Sequence, residues 1–140
     1  MVLSLLLVTT LSGVAFAKAQ KESLYNTLKP SAPWWELGQG ATAGFVVLNN
    51  PQGEHNIIVN VSVKSGVPGI YDVYLRKLNP QPAPAEWQLL GQVTVMPNGT
   101  GSFHFNGNAL SGSLLRMVAL NPAGTSVTRY ASPPITMELK

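Results

Sequence analysis

The chain has 140 residues, of which 45% are hydrophobic and 11% charged, with a formal net charge of +3. That length suits one domain, and the composition is too apolar and too weakly charged for a disordered chain. Cysteine is absent, which excludes disulfides, thiolate metal sites, a cysteine nucleophile and a lipoprotein anchor.

Residues 1–17, MVLSLLLVTTLSGVAFA, carry no charge and end in Ala15-Phe16-Ala17, the small-residue pattern cut by signal peptidase. The apolar run is short for a membrane span, which needs about 20 residues. We read residues 1–17 as a secretory signal peptide, although the positive residues that usually precede the apolar run are missing. The rival reading is a retained anchor with Lys18 and Lys21 just beyond the membrane. Residues 18–40 form an N-terminal arm: KAQKESLYNTL allows one or two helical turns, with Leu24 and Leu28 four apart, before Pro30 and Pro33 end any helix. Trp34 and Trp35 follow, as an end plug for the domain or as a sugar- or partner-binding surface.

From residue 41 to residue 140 the pattern is β. ATAGFVVLN is a first strand. In NIIVNVSVKS, Ile57, Val59, Val61 and Val63 alternate with Ile58, Asn60, Ser62 and Lys64, the mark of a half-buried antiparallel strand. A VPG turn leads to IYDVYLRKL, with Tyr71, Val73 and Leu75 on one face and Asp72, Tyr74 and Arg76 on the other. The proline-rich NPQPAPAE is a loop or edge segment.

LGQVTVMPNGTGSFHF reads as a hairpin. A two-residue Asn98-Gly99 loop would pair apolar with polar residues throughout, and directly paired residues share a face. A three-residue Pro97-Asn98-Gly99 loop pairs Val93 with Phe103 and Gln92 with His104. It also gives Pro97 the first central position of a type I turn and Gly99 the left-handed position. Val93, Val95, Phe103 and Phe105 then face the core and His104 faces out. SLLRMVALN, the turn NPAGT and a terminal ITMEL complete about seven strands with no helix of normal length between them. The spacing predicts an all-β, immunoglobulin-like antiparallel sandwich.

The chemistry these residues offer is sparse. No G-x-S-x-G elbow, phosphate-binding loop or dinucleotide fingerprint is present. The six carboxylates are widely spaced, and no motif makes a glycosidase pair of any two. The nine basic residues are dispersed, with Arg76-Lys77 as the one adjacent pair, so the footprint of a nucleic-acid binder is missing. His55 and His104 are the two histidines. They would bind zinc or copper only if the fold brought them together with Glu54. Asn60-Val61-Ser62 and Asn98-Gly99-Thr100 match the glycosylation sequon, which matters only in a glycosylating host.

From about Gly40 onward, IIVNVSVKSGVPGIYDVYL followed by LLGQVTVMPNGTGSFHF resembles small secreted bacterial β-sandwich domains of the chordin type. It is more distantly similar to Cu,Zn superoxide dismutase and to the extracellular C-terminal domain of some anti-sigma factors. The resemblance implies a fold. It does not carry dismutase activity, because Tyr71 to Leu75 hold no histidine where that family has its copper-binding H-x-H strand, and the family's cysteines are missing. The expectation is a secreted or cell-surface, non-enzymatic monomer with no cofactor and no nucleic-acid partner. Its binding residues would be Trp34, Trp35 and His104, and its partner a protein or a surface glycan. The alternatives are a membrane-tethered sensor ectodomain and a metal-binding protein using His55 and His104.

Overall fold

The computed structural model describes residues 19–27, 40–49, 56–78, 86–108 and 115–136. These residues are all-β, with no helix among them. The strands are β1 (Gln20–Asn26), β2 (Thr42–Asn49), β3 (Asn56–Val63), β4 (Gly69–Leu78), β5 (Glu86–Val95), β6 (Gly101–Asn108), β7 (Leu115–Pro122), β8 (Tyr130–Ala131) and β9 (Ile135–Thr136). They form one antiparallel sheet in the order β5-β4-β7-β8-β1-β2-β3-β6, with β9 also on β7. The ends of this order, β5 and β6, are joined by the hairpin loop, so the sheet is nearly closed into a barrel. With the loop-joined ends β6 and β5 set side by side, though no ladder pairs them, the run β3-β6-β5-β4 follows a Greek-key order.

Alternation places the core. Ile57, Val59, Val61 and Val63 of β3 are all buried, as are Val46 and Leu48 of β2, Tyr71, Val73 and Leu75 of β4, and Val93 and Val95 of β5. Phe103 and Phe105 of β6 pack against them from the half-buried inner face. β7 is buried from Arg116 to Asn121, as suits a strand paired on both sides. Fully buried Arg116 is in register with Lys77 on one side and Ile135 on the other.

Two sequence expectations change. Nine strands replace about seven, because β1 and the two-residue β8 join the sheet, while the expected terminal ITMEL strand is described as β9 over Ile135–Thr136. The helical turn expected in the N-terminal arm is instead strand β1, which pairs with β2 and β8. Leu24, the one strongly apolar inward residue of β1, is fully buried in the core. That single anchor and two backbone ladders outweigh the weak i, i+4 signal.

The three-residue hairpin loop is as the parity required. The Met96 N–H donates to the Thr100 carbonyl at 2.8 Å, the Gly99 N–H donates to the Met96 carbonyl at 2.8 Å, and Gly99 holds φ of +87°. Asn98 Oδ1 accepts from both the Thr100 N–H and hydroxyl. Above this loop lies the β3–β4 connection, where the Gly66 N–H donates to the Gly99 carbonyl. Two tyrosines clasp the same connection. The Val67 N–H donates to the Tyr130 hydroxyl at 2.8 Å, and the Tyr71 hydroxyl donates to the Val67 carbonyl at 2.7 Å. The two rings meet edge to face at 5.5 Å.

Candidate functional site

The same alternation that buries one side of β1, β2, β3 and β6 lays out the other side in rows. Ser23, Phe45, Ser62 and Ser102 are successive cross-strand partners, and Lys21, Val47, Asn60 and His104 form the row beside them. His104 is exposed, as its hairpin parity predicts. Its ladder partner, however, is Asn60 of β3 and not Gln92 of β5. Gln92 turns away and donates from Nε2 to Asp72 Oδ1 at 2.9 Å. The hairpin strands form no ladder with one another, so β6 takes its pairing from β3.

His104 Nδ1 lies 2.7 Å from Asn60 Oδ1. An amide oxygen only accepts, so Nδ1 donates in this contact. The pair therefore offers the imidazole Nε2 beside a side-chain amide. A shallow depression lined by Asn60, Ser62, Ser102, Phe103 and His104 runs along it. It shares Ser62 and Ser102 with a larger open groove of about 570 Å³ that reaches Lys64, Gln92, Thr94 and Thr100. The groove crosses the seam between β5 and β6. It is held open because no backbone ladder joins the two strands. A Cβ on Gly101 would stand 2.4 Å from the Thr94 carbonyl oxygen. Farther down, a side chain bridges the seam, with Gln88 Nε2 donating to the Asn108 carbonyl at 2.7 Å.

Beside the groove, Phe45 is flanked by cations. Lys21 Nζ lies 4.3 Å and Lys64 Nζ 5.9 Å from its ring centroid, both within cation–π range. On the β5 side of the seam stands a second exposed feature. Trp87 is 40% and Leu89 57% exposed. Trp87 meets Tyr74 edge to face at 5.4 Å, and the Arg76 guanidinium lies 4.6 Å over the indole. Burial holds the Arg76 guanidinium below its usual range.

The β4 face also holds Asp72, buried at the surface layer. It accepts from Gln92 and, at 3.0 Å, from the Gly124 N–H. These bonds, that of Gln92 first, hold its carboxyl below the usual range. Burial, then the neighbouring Tyr130 hydroxyl, pushes the Tyr71 phenol up to about 12. Both groups brace loops rather than line the groove.

Of the binding residues expected from sequence, His104 lies in this site, while Trp34 and Trp35 lie outside the described residues, as does His55. Among the described residues no cluster of His, Asp and Glu is placed to hold a metal ion. Sequence reasoning passed over Phe45, Trp87 and the Asn60 partnership. Trp87 had a signal: it opens a strand directly after the proline-rich segment, at the position cross-strand from Arg76. Phe45 had one too, as the bulkiest residue in a strand that is otherwise small and aliphatic. Compared with known protein families, with curated proteins and with solved structures, the chain matches none.

Proposed function

We propose that this protein is a secreted, non-enzymatic binding module that engages an extracytoplasmic partner through the outer face of β3 and β6 and the seam groove beside it. The observation that carries this reading is the groove itself: exposed hydroxyl, amide and imidazole groups converge on an open channel beside a Lys-flanked aromatic ring. Such a surface can hydrogen-bond a ligand from many directions. The immunoglobulin-like sandwich and the kinship with chordin-type domains belong to the same proposal. The Greek-key order and the single interior shared by all the long strands support them.

The test combines location and binding. Intact mass from fractionated source cells is expected to give a soluble extracytoplasmic form beginning at Lys18. Labelled purified protein is expected to bind the envelopes of those cells, and Ser102→Arg, which fills the groove, to reduce that binding without changing the thermal midpoint. A full-length form confined to the membrane fraction overturns the secreted reading in favour of a tethered ectodomain. Envelope binding unaffected by Ser102→Arg overturns the assignment to this face.

A further inference from the structure

The charge on the outer face of β1, β2, β3 and β6 is one-sided. Lys21 and Lys64 project there and are exposed. The carboxylate that neighbours them in sequence, Glu22, does not join them. It is cross-strand from Val46, a core residue, and so belongs to the opposite side of the sheet. Asp72 is engaged by Gln92 and Gly124 on the β4 side of the seam, and Glu86 stands cross-strand from Lys77 at the far end of β5. The described strands β1, β2, β3 and β6 therefore set no carboxylate on the outer face beside the two ammonium groups.

Those groups are also positioned. Each lies within cation–π range of the Phe45 ring, which holds the two ammonium groups close together on one side of the sheet. Next to the two lysines, on the side of β3 and β6, the same face continues through Ser62, Ser102, Asn60 and His104. Hydroxyls and amides both donate and accept, as the hydroxyls of a sugar require. An open phenyl or indole platform for stacking bases is missing among the described residues of this face, because the Phe45 ring is already flanked by cations.

We propose that this face binds an anionic polysaccharide, a chain of uronate or sulfated sugar units, with Lys21 and Lys64 on its charged groups and the Asn60–His104 and Ser62–Ser102 pairs on its hydroxyls. The proposal rests on the binding-module reading and names the ligand class of that same site.

The probe is an oligogalacturonate, titrated calorimetrically and followed by the backbone amide shifts of the purified protein. Neutral dextran and oligothymidylate of similar length serve as comparators. The expected result is shifts confined to residues 20–23, 44–47, 58–64 and 100–106. Affinity should fall about two- to fivefold for Lys21→Gln or Lys64→Gln, about tenfold for the double variant, and further as salt rises. Arg129→Gln removes the same charge elsewhere and is expected to change nothing. An equal loss in Arg129→Gln overturns the proposal by showing that net charge alone attracts the probe. Dextran binding on this face as tightly as the uronate overturns the ligand class and leaves the binding module standing. Tighter binding of oligothymidylate overturns it in favour of a nucleic-acid ligand. No shift on this face with any glycan, together with no envelope binding, overturns both readings.

Discussion

Leu24→Ala tests whether β1 is part of the folded core or a strand laid against it. The Leu24 side chain is fully buried among residues of the central cluster. Truncation removes three carbons, worth about 2.4 kcal/mol at about 0.8 kcal/mol per methylene. A residual cavity adds to this, because a barrel interior braced by ladders on both sides of β1 relaxes only in part. The expected cost is about 3 kcal/mol. In urea, with a slope of about 1.5–2 kcal/mol/M for a domain of this size, the midpoint is expected to fall by about 1.5–2 M with the slope unchanged. Ser23→Ala, one position away and on the outer row, is the control and is expected to stay within about 0.5 kcal/mol. A Leu24→Ala midpoint indistinguishable from that of Ser23→Ala would refute the assignment of β1 to the core.

Three further outcomes follow from the packing. Gly91, at φ of +155°, lies beside Phe103, whose Cε1 would be 2.8 Å from an added Cβ. Gly91→Ala is therefore expected to cost about 1–3 kcal/mol in thermal unfolding, with Gly91→Ala/Phe103→Leu recovering the steric part only. Tyr130→Phe removes the acceptor for the Val67 N–H. It is expected to destabilise by about 1 kcal/mol and to speed hydrogen exchange at that amide above all others. The pH limbs of stability have opposite signs. Tyr71 has a folded-state value raised from 10.0 to about 12, so its contribution is intact below pH 10 and is lost as pH rises toward 12, checked by phenolate absorbance against unfolding. Asp72 is held below its usual 3.8, so its contribution is intact above that pH and is lost as pH falls below it. Asp72→Asn should accordingly flatten the acid limb of a pH–stability curve.

Much of the barrel was legible because its long strands are locally consistent. The alternation in β3 named every one of its buried valines, and parity alone selected the three-residue loop that the Met96 and Thr100 bond closes. What could not be read is what depends on distant partners. β1 has polar residues at two inward positions, Gln20 and Glu22, and becomes a strand only because β2 and β8 flank it. β8 is two residues long and carries no period. At the site, the outward direction of His104 was legible, since it follows from the face of Phe103 and Phe105. Its union with Asn60 was not, because no local pattern states that β6 leaves its hairpin partner for a strand 44 positions upstream. The Lys21–Phe45–Lys64 arrangement was hidden for the same reason: three strands supply it.

The pairing of β1 with β8 has a consequence for how the protein comes to exist. The Thr27 hydroxyl donates to the Thr128 carbonyl across 101 positions of chain, and β1 lacks the second of its two ladders, at Tyr25 and Asn26, until β8 arrives. A chain emerging residue by residue can pair its first strand with β2 early, but leaves the other edge of that strand open until nearly all of it has been made. Closing so long a loop before its contacts reward it makes the folding step slow, on the millisecond-to-second scale of non-local β proteins. During that interval the open edge is available for pairing with another chain. The arrival of β8 then fastens the first strand on its second side.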